Sequence, residues 1–163
     1  MTIRILSTFA MIFVSTWIAS ADELQLPPMK EGLWESHTQQ VIQKNKFESV
    51  MKICQSHEFE KSMKSSSEGL RKSNQCSEAV TRLSPNSYST ESHCDKGPLS
   101  GSVSKATITF QGDTAMHMEM HMKSGDSESV TIIDSRYLGS CPADMKPGDT
   151  VMADGTKMSL GAH

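Results

Sequence analysis

The chain has 163 residues, a formal net charge of −3 at pH 7 and only 6% aromatic side chains. Its length suits one domain. Its 16 Lys and Arg are scattered rather than clustered, which excludes a nucleic-acid-binding face or an anionic membrane surface as the basis of its function.

Residues 1–21 read as a secretory signal peptide. Arg4 sits in a short polar start, Ile5 to Ala19 is an apolar run broken only by Ser and Thr, and Ala19-Ser20-Ala21 supplies small residues for cleavage. The run is too short for a comfortable membrane span, which needs about 20 apolar residues. The expected mature chain is residues 22–163, soluble, periplasmic or secreted, with no membrane insertion after cleavage. No cysteine directly follows Ala21, so a lipid anchor is not expected.

Beyond residue 21 lie Trp34, Phe47, Phe59, Tyr88, Phe110 and Tyr137, and ten methionines from Met29 to Met158. Methionine packs adaptably and specifies a core less sharply than Leu or Phe. Covalent cross-links are the expected supplement. Cys54, Cys76, Cys94 and Cys141 are an even set in an exported chain, which points to two disulfides. Their smallest spacing is eighteen residues, so no Cys-x-x-Cys redox or zinc signature is present.

Leu24 to Glu31 is a Pro-containing leading segment. Gly32 to Gln43 and Phe47 to Cys54 read as two strands about a Lys44-Asn45-Lys46 turn. Ser56 to Lys64 reads as a helix, with Ser56 as cap, Glu58 and Glu60 near the positive end, and Phe59 and Met63 on one face. Ser65-Ser66-Ser67-Glu68-Gly69 is expected to end it, with a polar loop up to Asn74.

Short strands follow. Cys76 to Leu83 and Tyr88 to Cys94 flank the turn Ser84-Pro85-Asn86-Ser87. A hairpin about that turn brings Cys76 to Cys94 and leaves Cys54 for Cys141. Four cysteines allow three connectivities, so this pairing is a preference. Val103 to Phe110, Ala115 to Lys123 and Glu128 to Leu138 continue as an antiparallel meander. Residues 22–141 thus form the expected β-rich domain, and 142–163, rich in Gly and Pro, the expected C-terminal tail.

Met116-His117-Met118-Glu119-Met120-His121-Met122 is the most distinctive stretch. On a strand, alternate residues take opposite faces, so the four Met share one face and His117, Glu119 and His121 the other. A three-residue loop, Gly112-Asp113-Thr114, would align Phe110 with Met116, Ile108 with Met118 and Ala106 with Met120. That register places apolar residues together and turns the histidines to water. A sharper reading makes His117, Glu119 and His121 ligands for Zn or Cu, completed by His37, His93 or Asp134. A third gives the Met face to Cu(I) as soft ligands. No nucleophile elbow, Walker loop, dinucleotide fingerprint or acid–base pair stands out, so no catalytic residue is assigned.

The order Gly32-Leu33-Trp34-Glu35, then Cys54, Cys76 and Cys94, a Met-rich alternating strand, and Tyr137-Leu138-Gly139-Ser140-Cys141-Pro142 with Met145-Lys146-Pro147-Gly148-Asp149 resembles an exported bacterial family, domain of unknown function 3617. The resemblance spans nearly the whole mature chain. It implies a periplasmic single domain and brings no known activity. His117 and His121 stand where the family strand commonly carries Lys or Thr, so a histidine site is not implied by it.

The expected fold is a mostly β, single antiparallel sheet of six or seven strands, curled into a half-barrel or lipocalin-like cup with one short helix. The alternative is a two-layer α+β arrangement. Two functions are compatible with these features. One is a non-enzymatic exported protein binding an apolar small molecule or peptide on its Met-lined face, with Trp34, Met118 and Met120 as candidate contacts. The other is a periplasmic Zn or Cu handler using His117, Glu119 and His121. The partner is not specified.

Overall fold

Alternation in the sequence becomes pleat in the structure. The computed structural model describes Leu24 and residues 26–160; the signal-peptide assignment to residues 1–21 lies outside the described residues. Nine strands form one antiparallel sheet: β1 (Gly32–Ile42), β2 (Asn45–Gln55), β3 (Cys76–Ser84), β4 (Ser87–Cys94), β5 (Ser102–Gln111), β6 (Ala115–Ser124), β7 (Ser127–Gly139), β8 (Asp149–Met152) and β9 (Lys157–Ser159). Their spatial order is β3-β4-β5-β6-β7-β1-β2-β8-β9. The sheet is curled and does not close into a barrel. A single helix, α1 (His57–Ser73), joins β2 to β3, and a 3₁₀ turn (Gly97–Leu99) precedes β5. The expected mostly β fold with one helix is therefore what the chain adopts.

Register follows apolar matching. Phe110 faces Met116, Ile108 faces Met118 and Ala106 faces Met120 across β5 and β6, the alignment of the three-residue loop. One face of the sheet, here the inner face, carries Trp34, Tyr88, Ile108, Phe110 and the four Met of β6. Tyr88, Ile108 and Phe110 form its central cluster, with Leu24, Met29, Val80, Met116 and Met118 packed against it. Tyr88 and Phe110 meet edge-on at 5.9 Å between ring centroids, a favoured aromatic geometry.

Both disulfides join the expected partners, Cys54–Cys141 and Cys76–Cys94. Cys76 and Cys94 face each other across the β3–β4 hairpin. The Gly32–Trp34 and Tyr137–Gly139 segments interlock at the far end of the sheet. The register shifts between Leu33 and Trp34, and Gly32 has φ +138° with Gly139 O so near that a Cβ would overlap it. Only glycine suits that position. Trp34 packs edge-on against Tyr137 at 5.9 Å, and its Nε1 donates to Lys30 O at 2.7 Å.

Two expectations are corrected. The helix does not end at Ser65; it runs to Ser73. Ser56 Oγ accepts the Phe59 N–H as foreseen, but the serine run lies inside the helix. Gly69 costs only about 1 kcal/mol relative to Ala in a helix, and β2 lies seventh and β3 first in the sheet. A flat sheet would separate them by about 29 Å at the usual strand spacing, and seventeen helical residues span about 25 Å. The helix is as long as the crossing requires. Residues 142–163 are also not a simple tail. Cys141 is fastened to Cys54, and β8 pairs with β2 over Met51–Ile53, followed by β9. The sheet therefore has nine strands rather than six or seven.

Candidate functional site

A helix usually buries an apolar stripe against its sheet. α1 does not. Phe59 is its one buried residue, and Met63 and Leu70, on the same stripe as Phe59, are exposed. The helix is held at its ends instead. Ser56 caps the start. At the other end Asn74 N and Nδ2 both donate to Leu70 O, and Arg71 pairs with Glu78 of β3. Suspended in this way, α1 stands off the inner face and leaves an open cleft of about 920 Å³.

The leading segment makes the cleft's side wall. Lys30 N donates to Asp113 O in the β5–β6 turn. His57 N donates to Glu31 Oε1 at 2.8 Å, and His57 Nε2 lies 3.1 Å from Met29 O. These bonds pin Leu26, Pro27, Pro28 and Met29 between the helix start and the sheet. Phe110 and Met116 form the floor. The roof is polar: Glu60, Lys61, Lys64 and Glu68 of α1 line it. Burial pushes the Glu60 carboxyl above its ordinary value, against the nearby His57 charge and a Met29 backbone hydrogen bond. The arrangement offers an apolar floor and wall beneath a charged roof, within the volume range of small-molecule sites. It presents no nucleophile paired to a base.

Trp34, Met118 and Met120 do not line this cleft. Trp34 is 1% exposed, so its ring has no free surface for ligand stacking. Met118 packs against the central cluster, and Met120 is half-buried further along β6. Met116, one register position from Met118, is the stripe member that reaches the cleft. The leading segment and the helix roof had no sequence signal for this role, because each reaches the site through a long-range crossing.

On the outer face, His117, Glu119 and His121 do not act together. His117 Nδ1 lies 2.7 Å from Asp134 Oδ1 on β7, while His121 Nε2 lies 2.7 Å from Glu119 Oε1 on its own strand. Among the described residues, no three His, Cys, Asp or Glu side chains are arranged to hold a metal ion. A second polar centre lies beside them. Glu35, 9% exposed, accepts from Arg136 Nε at 3.0 Å and Nη2 at 2.6 Å, and has His37 Nε2 at 3.3 Å and Lys52 Nζ at 3.8 Å. The Arg136 hydrogen bonds, then that from His37, hold the Glu35 carboxyl below its ordinary value against burial.

Among the described residues no helix is long and apolar enough to cross a membrane. A family model described as protein of unknown function, DUF3617, matches residues 29–141, and the chain belongs to that family. The matched span holds the Trp34 and Tyr137 interlock, all four cysteines and the Met strand. No curated protein and no solved structure matches the chain.

Proposed function

We propose that this member of the DUF3617 family is an exported, non-enzymatic binding protein whose cleft takes an apolar small molecule or an apolar peptide segment. One observation carries the reading: the space between α1 and the Met116–Phe110 floor is open, because the helix places only Phe59 in the core. The apolar walls supply affinity by removing ligand surface from water, at about 25 cal/mol per Å². The charged roof keeps one edge of the ligand in a polar setting. Export is supported by the apolar run before Ala21 and by two disulfides, which persist in oxidising compartments.

The test is a titration of the disulfide-intact protein with Nile red, a neutral apolar dye. Saturable one-to-one binding with a blue-shifted emission is expected, and Met116→Glu should weaken it at least tenfold by placing a charge on the floor. Met116 is half-buried on its strand, so the variant should keep its fold by circular dichroism. Binding that never saturates, or that Met116→Glu leaves unchanged, contradicts the reading. N-terminal sequencing of the exported form should begin at Asp22.

A further inference from the structure

We propose a copper(II) site on the outer face of the sheet, held by the imidazoles of His37 and His117 across Asp134. The placement comes from register. Asp134 of β7 lies directly opposite His37 of β1 on one side and His117 of β6 on the other. At the usual strand spacing the two histidines are about 10 Å apart at Cα, close enough for two side chains to reach one ion from either side of a single carboxylate. His37, His117 and Asp134 line one recess of about 310 Å³, together with Gln111 and Arg136.

The hydrogen bonds prepare both rings. Imidazoles that bind metal usually give their second nitrogen to a carboxylate, which fixes tautomer and orientation. Here His117 Nδ1 meets Asp134 Oδ1 at 2.7 Å and His37 Nε2 meets Glu35 Oε1 at 3.3 Å. A carboxylate only accepts, so the proton lies on those nitrogens. The lone pairs are then left on His117 Nε2 and His37 Nδ1. Glu35 is in turn locked by Arg136, whose charge it offsets beside the recess. This is the support that the other histidines lack. His121 has Lys105 and Val130 as its cross-strand neighbours, and His93 has Ser77 and Val103; neither faces a second imidazole.

Two protein nitrogens fall short of a closed structural site, which needs three or four ligands, in accord with the lack of any three-residue cluster. The site fits an exchangeable ion completed by water. Imidazole ligands and the order of divalent affinities favour Cu²⁺ over Zn²⁺. The proposal is independent of the cleft, since no residue of α1 or of the leading segment takes part.

The experiment titrates the processed, disulfide-intact protein with copper(II) sulfate, followed by calorimetry and electron paramagnetic resonance. One site with two equatorial nitrogens is expected. His37→Ala and His117→Ala should each weaken it at least tenfold and remove one nitrogen from the spectrum, whereas His121→Ala and His93→Ala should leave it unchanged. The inference is overturned by any of three results: no Cu²⁺ site in the wild type at micromolar concentration, equal losses in His121→Ala and His117→Ala, or an unchanged spectrum in His37→Ala. All four positions are exposed, so circular dichroism should show the variants folded.

Discussion

Where β4, β5 and β6 face the interior, the sheet presents Tyr88, Ile108, Phe110 and the methionine row; where β7 and β1 do, it presents Ser129, Thr131, Ser135, Ser36 and Gln40. The first half is covered from outside the sheet, by Leu24 and Met29. The second closes by its own hydrogen bonds, Ser36 Oγ to Ser135 Oγ at 2.7 Å and Gln40 Nε2 to Thr131 Oγ1 at 3.3 Å. Ser129, Thr131 and Ser135 are nonetheless buried. Small hydroxylic side chains let a sheet curl tightly without leaving polar groups unpaired. Bulky apolar ones hold the covering segments away, and the cleft forms where that cover is incomplete. Each half also has its own cross-link: Cys76–Cys94 fastens β3 to β4, and Cys54–Cys141 fastens β2 to the end of β7.

The contrast can be broken at several points. Cys54→Ser/Cys141→Ser should cost most. Its loop closes over a sequence separation of 87, worth up to about 4.5 kcal/mol by chain entropy. Cys76→Ser/Cys94→Ser, with a separation of 18, should cost about 3 kcal/mol by the same argument. Urea unfolding of both double variants checks the order, and the reverse order would show that the hydroxylic half does not depend on its cross-link.

Phe110→Ala should cost about 3–5 kcal/mol, as a large cavity in a packed cluster does. Ser135→Ala, in the other half, should cost about 1 kcal/mol for a lost hydrogen bond. Equal losses by urea unfolding would remove the distinction between the halves.

The smallest effect is one of pH. Glu35 ionises more readily in the folded state, through its hydrogen bonds from Arg136 and then His37. A depressed carboxyl contributes stability that is present above its unfolded value and is lost as pH falls through the folded one. The stability difference between wild type and Glu35→Gln should therefore shrink on acidification below the ordinary carboxylate range. A gap that widens as pH falls contradicts this.

The meander was legible because its signals are local. Alternation in Val103 to Phe110 and Met116 to Met122, with one turn between, fixes both register and face. The disulfides were legible because a hairpin about Pro85-Asn86 places Cys76 beside Cys94. The helix length was not legible. Ser65 to Gly69 is a weak helix former, and it stays helical because both ends of α1 are anchored seven strands apart. Nor was β8: Thr150-Val151-Met152 is short and follows Pro147-Gly148, and only the Cys141 tether brings it to Met51–Ile53. The cleft was illegible for the same reason. Phe110, Met29 and Glu60 meet through three crossings that no periodicity encodes, and Trp34, the most conspicuous candidate, is spent on holding Tyr137 and Lys30.

The open cleft beside Met116 is the claim on which the functional reading rests, and methyl-selective NMR of ¹³C-methionine-labelled protein reaches it directly. On adding Nile red, the Met116 and Met29 methyl signals should shift together and saturate, while Met63 and Met158, exposed and away from the lining, stay in place. If Met116 and Met29 do not move, or if all four move alike, the cleft is not a binding site.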